Sequence, residues 1–322
     1  METKTYIIKT RSGLHCGIGQ GLSDIDLPTA KESVSGYPFI PATSLKGVLR
    51  DHFNDQSDIF TTAFGQASSD RIDFAAALSF TDARLICLPV RAYFGTFAYL
   101  TSPYALNLLK TTLHDNGATD LPVIPDYPAM TETDCYRASL PEDSDLRNIG
   151  DLADQLLLED LDLLVDNGNS QSSQNSESSQ STQDSKNSQS AQEWADLIAH
   201  LLCGDDEEGQ QLFKKHFAIA DDNVLAFLCE TALPVATHTR IGENGVVVDG
   251  ALWFEEFVPP EAIFMGTIYA EDSRNSKHLN LNATQIIDFV SNRPINCQVG
   301  GNATTGRGLI SITFNQPQGE KL

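Results

Sequence analysis

The chain has 322 residues, 41% of them hydrophobic and 20% charged, so it can bury a sizeable core and is no stapled mini-protein. Its 21 basic residues against 44 acidic ones leave a net charge of −23, which ordinarily argues against a polyanionic ligand. Six scattered cysteines without a C-x-x-C pair exclude a disulfide framework or zinc knuckle and fit reduced thiols in a cytoplasm, and no window is apolar enough to span a membrane.

In chain order, KTYIIKT (residues 4–10) alternates apolar and polar positions like a half-buried strand and runs into the glycine-rich GLHCGIGQG. Gly17, Gly19 and Gly21 fail the dinucleotide pattern because Leu22 takes the last glycine place. His15, just ahead of them, reads either as structural or as a general base. Asp24 and Asp26 precede Pro28; alternate positions in an extended segment point one way, so the two could share a divalent cation or position a proton, the alternative being a solvated acidic turn. PATSLKGVLRDHF (41–53) predicts a helix capped by Thr43 or Ser44, with Leu45, Val48, Leu49 and Phe53 on one face. Lys46 in its first turn, with Arg50 one turn on, opposes the helix dipole there, which asks for an anion nearby; snorkelling surface charge is the alternative. Strands follow over 77–101, then a helix from N-cap Ser102 and Pro103.

Residues 141–217 read as an acidic helical insert. Positions 141–209 alone carry a net −15, whereas 1–50 and 290–322 each carry +2, so a phosphate-facing surface can be built from the two ends of the chain and not from its middle. Within the insert, leucines between carboxylates over 145–168 predict an amphipathic helix, and the tract 169–192, with ten serines and six glutamines, predicts a disordered loop. Beyond it, Gly245–Pro259 and Ala262–Glu271 read as strands, Asn282–Asn292 as a helix, and the end as a glycine-rich turn and a last strand. Gly301 and Gly306 have the spacing of a phosphate loop, but Arg307 and Gly308 replace its Lys and Ser/Thr, which argues against a nucleotide triphosphatase and leaves an anion-binding nest or a plain turn. The predicted class is α+β, a ferredoxin-like (RRM-like) core over 1–140 and 218–322 interrupted by the insert.

The segments HCGIGQGLSDIDLP, GYPFIPATSLKGVLRDHF, ALSFTDARLICLPVRAYFGTFAYLT, TRIGENGVVVDGALWFEEFVPPEAIF and QVGGNATTGRGLISI, in this order, resemble the RAMP family of CRISPR effector subunits, specifically the backbone subunit of the type III-B (Cmr) complex. The resemblance implies a protruding β-hairpin thumb at about 235–256, head-to-tail stacking of copies along one crRNA, other Cmr-complex subunits as partners, and antiviral cleavage of target RNA at regular intervals. It implies that Asp26 is catalytic, acting with Mg²⁺ or another divalent metal. It places the RNA contacts at His15, at Ser44, Lys46 and Arg50, in the thumb at His238, Arg240, Trp253 and Glu255, and in the turn at Gly300, Gly301, Gly306, Arg307 and Gly308. Attack by the RNA's own 2′-OH would leave a 2′,3′-cyclic phosphate and a 5′-OH. Two other readings stand beside it: a catalytically silent RNA-binding filament subunit, and a metal-independent CRISPR RNA-processing endonuclease using His15. An acidic scaffold unrelated to RNA is a third.

Overall fold

The computed structural model describes residues 1–19, 25–66, 74–127, 135–166, 180–275, 277 and 280–315. Along the chain these form β1 (Glu2–Thr10), β2 (Phe39–Ile40), α1 (Ala42–His52), α2 (Asp58–Phe64), β3 (Leu78–Phe80), β4 (Ala83–Arg91), β5 (Phe97–Thr101) and α3 (Pro103–Asp115). Then come β6 (Arg137–Ser139), β7 (Gln155–Leu158), β8 (Leu161–Val165), α4 (Gln180–Cys203), α5 (Glu207–Lys215), β9 (Phe217–Ala220) and α6 (Asp222–Thr231). The last elements are β10 (Val235–Ile241), β11 (Val247–Glu256), β12 (Ile263–Ala270), α7 (Ala283–Ser291), β13 (Ile295–Gln298) and β14 (Leu309–Asn315). Two compact units emerge, Met1–Leu85 with Leu233–Pro317, and Ile86–Ala232, so the second takes in more chain than the 141–217 insert.

In the first unit, β14, β1, β12 and β3 lie side by side, every pair antiparallel, with β13 outside β14. The sequence of β1, α1, β3, β12, α7 and β14 is the strand–helix–strand–strand–helix–strand order of the ferredoxin-like class. β1 is not the half-buried strand its alternation suggests: Tyr6, Ile7 and Ile8 are all buried, because β1 is central and α7 packs on it. Even Lys4 is covered, its ammonium donating to Asp288 Oδ1 and Ser291 Oγ of α7, both at 2.8 Å. Each such apolar burial contributes about 1.5–3 kcal/mol. α7 starts where a capping box requires it, Asn282 and Gln285 exchanging side-chain and backbone bonds. α1 does not start on Thr43 or Ser44. Pro41 is its N-cap without a side-chain cap bond, and the carboxylate of Asp82, forty residues on, accepts from Ala42 N at 2.7 Å.

In the second unit β5 pairs with β4 antiparallel and β9 parallel, followed by β6, β8 and β7. Two expectations fail here. The leucine-rich stretch before the tract is no helix but the β7–β8 hairpin: Leu156, Leu158, Leu163 and Val165 are buried at every second position, and Glu159 takes the positive φ (49°) that its two-residue turn demands. Nor is 180–192 a loop, since it forms the first half of α4; positions 167–179 lie outside the described residues. The helix docks by polar groups that composition does not reveal. Asn187 Nδ2 donates to Asp166 Oδ2 (2.9 Å) and Asp126 O (3.1 Å), Ser188 Oγ to Asp166 O (2.8 Å) and Trp194 Nε1 to Val123 O (2.9 Å). The helix from Ser102 and Pro103 forms as expected, Ser102 accepting from Ala105 N. Among the described residues no helix is long and apolar enough to cross a membrane.

Candidate nucleic-acid interface at the hairpin base

β10 and β11 form a separate two-stranded ribbon over 235–256 whose distal part is exposed. Val235, Ile241, Val246, Val247 and Leu252 all show their side chains to solvent, and so does Arg240. Nearer the base, His238 faces Trp253 across the ladder and stacks on it, ring centroids 5.4 Å apart and 16° from coplanar. Both are part-exposed, which leaves an aromatic surface of the kind on which bases stack.

At its base the ribbon enters the unit, and burial sets in at Glu255 and Glu256. Side chains of consecutive strand residues point to opposite faces, so the two carboxylates reach different neighbours. Glu255 meets His15 Nδ1 (3.5 Å) and His238 Nε2 (3.4 Å, without hydrogen-bond geometry) and accepts from Asn302 Nδ2 of the glycine-rich turn. Glu256 accepts from Thr29 N (3.1 Å) and Lys31 Nζ (2.8 Å). Buried carboxylates are tolerated only when so partnered.

Asp26 is exposed, yet its carboxylate is aimed: Phe254 N donates to Oδ2 at 2.8 Å. Leu27 extends the contact as one rung of parallel pairing with Glu255, Leu27 N donating to Phe254 O and Glu256 N to Leu27 O, each at 3.0 Å. Asp26 is thus held by the hairpin rather than by its own loop. Asp24 lies outside the described residues.

The glycine-rich turn closes on the same place. Gly301 N donates to His15 O (2.9 Å), Gly308 N to Gly13 O (2.8 Å), and a Cβ on Gly300 would strike the His15 carbonyl. Gly300, Gly306 and Gly308 all have φ near +80°, where a Cβ is disfavoured. The Arg307 guanidinium does not project from this turn freely; it lies 3.7 Å over the Phe257 ring, a stacked cation–π contact. His15 is buried, and because Glu256 O, 2.7 Å from Nδ1, can only accept, Nδ1 carries the proton of that bond.

Asp26, His15, Glu255, His238, Trp253 and the turn Gly300–Gly308 therefore gather in one region. The α1 cations stand apart in chemistry. Lys46 Nζ donates to Leu78 O (2.8 Å), and burial, with repulsion from Arg50, lowers its pKa. Arg50 Nη1 donates to Phe64 O (3.0 Å) and lies over the Phe60 ring. With Asp82 on the first amide, the start of α1 is not an open anion site, and Ser44 is merely part-exposed there. Among the described residues no group of three or more His, Cys, Asp or Glu is arranged to hold a metal. Glu256, Lys31 and Asn302 escaped the sequence reading; the buried Glu-Glu pair ending a strand was the available signal.

A family model described as the RAMP superfamily matches residues 7–311. The CRISPR system Cmr endoribonuclease Cmr4 of Pyrococcus furiosus is 26% identical over 97% of this chain and 96% of its own length. The CRISPR system CMR subunit Cmr4 of Saccharolobus solfataricus is 22% identical over the same shares. Among solved structures, oligomeric Cmr4 from Pyrococcus furiosus superposes with a TM-score of 0.66 at 21% identity, covering 99% of this chain and 100% of that one. A chain of the type III-B Cmr-beta complex bound to cognate target RNA gives 0.65 at 18% identity, over 98% and 97%. These two likenesses are of fold.

Proposed function

Since this chain belongs to the RAMP superfamily, we propose that it is the crRNA-binding backbone subunit of a type III-B CRISPR effector complex and the endoribonuclease that cuts target RNA there. The observation that carries the reading is the placement of the Asp26 carboxylate, fixed by Phe254 N at the root of an exposed hairpin and in the same region as the glycine-rich turn. The curated relatives, one named an endoribonuclease, support it over nearly the whole length.

The turn, exposed over residues 300–306, suits the guide phosphates, and the hairpin, with the His238–Trp253 stack and Arg240, suits displacement of a nucleotide from the paired strands. A splayed target nucleotide can bring its 2′-OH in line with phosphorus and the 5′-oxygen that leaves, giving a 2′,3′-cyclic phosphate and a 5′-OH. Asp26 Oδ2 is occupied by Phe254 N, which leaves Oδ1 to orient the attacking hydroxyl. A divalent ion, where used, would take one ligand from Asp26 and the rest from RNA phosphates and water, the usual way of magnesium, and would offset phosphate charge. The rival processing reading fits less well, because His15 is buried and its Nδ1 is already bonded.

The test is Asp26→Ala in the assembled complex. Guide content and target affinity should stay within about twofold, while single-turnover cutting falls by 10²-fold or more, on the order expected when a positioned catalytic group is lost. Cutting at regular spacing by that variant overturns the role of Asp26; loss of cutting by wild type in EDTA supports the metal.

A further inference from the structure

Asp26 lies between two points of attachment to one strand. Before it, His15 packs on Glu255 and bonds the Glu256 carbonyl; after it, Thr29 N and Lys31 Nζ bond the Glu256 carboxylate. Between them, Phe254 and Glu256 make the main-chain bonds that hold Asp26 and Leu27. Glu256 is 2% exposed, and Lys31 is the only cation recorded against it among the described residues. Removing that charge would loosen the downstream attachment without touching the hairpin ladder, the glycine-rich turn or Asp26 itself.

We propose that Glu256, through Lys31 and Thr29, is a positioning residue that sets where the Asp26 carboxylate stands relative to the scissile phosphate. The proposal rests on the reading of Asp26 as catalytic. It contacts no RNA in this role and acts only through the backbone of residues 26–29. Displacement of a catalytic group by about 1 Å can cost 10²-fold in rate, so the effect is expected in the chemical step and not in binding.

The experiment uses the full-length chain assembled with guide RNA and its partner subunits. Glu256→Gln keeps an acceptor for Thr29 N but loses the pairing with Lys31; Glu256→Ala loses both. Cutting at saturating target should fall about 10-fold for Gln and about 100-fold for Ala, with unchanged target concentration at half-maximal rate and unchanged guide content. Lys31→Gln should slow cutting like Glu256→Gln, and the double variant should be no slower than either single, the signature of one shared interaction. Should Glu256→Gln fail to assemble, Lys31→Gln carries the test, its side chain being part-exposed. Unchanged cutting in an assembled variant, or a loss that tracks reduced RNA affinity, overturns the proposal. Asp26→Ala is run alongside: if it cuts normally, the catalytic reading fails, whereas normal cutting by the Glu256 and Lys31 variants beside an inactive Asp26→Ala sinks the positioning role alone.

Discussion

Gly308 shows how much a single backbone angle decides: at φ +77° a Cβ would meet the Val299 carbonyl, whose residue is itself bonded to Gly308 O through Val299 N at 2.9 Å. Gly308→Ala should lower unfolding free energy by about 1–3 kcal/mol, read as a lower urea midpoint; an unchanged midpoint refutes the steric argument. A second residue-level prediction concerns Glu32. Burial raises its pKa, but hydrogen bonds from Arg84 and Ser35 and the charge of Arg84 outweigh that and leave it below the ordinary 4.5. A depressed carboxylate adds stability above its unfolded pKa and loses it as pH falls through the folded value. Stability of the wild type should therefore drop more steeply below pH 4.5 than that of Glu32→Gln, measured by thermal melts across that range. At this scale the glycines and the Asp24–Asp26 pair were legible from residue type and neighbours, whereas a role for Asp26 and a place for His238 and Trp253 in a thumb came only from the resemblance. The partner of Arg307 was not legible, because Phe257 stands fifty positions earlier, and neither was Asp82 as the group that replaces a Thr43 or Ser44 cap.

Among elements, α4 is the instructive one. Its N-terminal half consists of polar residues that bury almost no apolar surface, yet Asp166, 1% exposed, gathers Arg137 Nη1 (2.8 Å), Ser139 Oγ (3.1 Å) and Asn187 Nδ2 (2.9 Å) on its two oxygens. Asp166→Ala takes an acceptor from Arg137, Ser139 and Asn187 and leaves the Arg137 guanidinium to Asp184 alone; it should cost about 1–3 kcal/mol and speed amide exchange in 183–192 before the rest of the second unit. Uniform exchange across the unit would contradict this. The helix was hidden because composition reports apolar content and not hydrogen-bond partners supplied from elsewhere. The β7–β8 hairpin was hidden for another reason: a leucine run satisfies period two and period 3.6 alike over so few residues, and only the Glu159–Asp160 turn decides between them. By contrast α7 carried both period and cap and was legible, whereas the hairpin over 235–256 was expected only from the family resemblance.

For the whole molecule, the net charge of −23 is compatible with RNA only because the acid is concentrated away from the candidate interface in the chain. Asp143, Asp151, Asp160 and Asp162 are exposed in the second unit. Replacing all four by Asn should leave target affinity within about threefold at 0.15 M salt, where screening acts over roughly 8 Å. Arg240→Ala should instead lower the salt slope of RNA binding by about 1. A larger effect from the four aspartates than from Arg240 would place the RNA on the wrong unit. The ferredoxin-like order was legible in outline, as was the meeting of the two ends, which β1 and β14 accomplish.

That meeting governs how the protein is made. Among the described residues β1 takes its sheet pairing along its length from residues 263–270 and 310–315, so it leaves the ribosome long before either partner strand. At about 5–20 residues per second this is a delay of roughly 15–60 s during which Tyr6, Ile7 and Ile8 have no sheet to join. The contiguous stretch 86–232 has no such wait and can acquire its structure while residues 233–315 are still being translated. Nascent chains halted near residue 240 should thus yield a protease-resistant fragment from 86–232 and a digestible β1, and chaperones should be found on β1 until residues 263–315 have emerged.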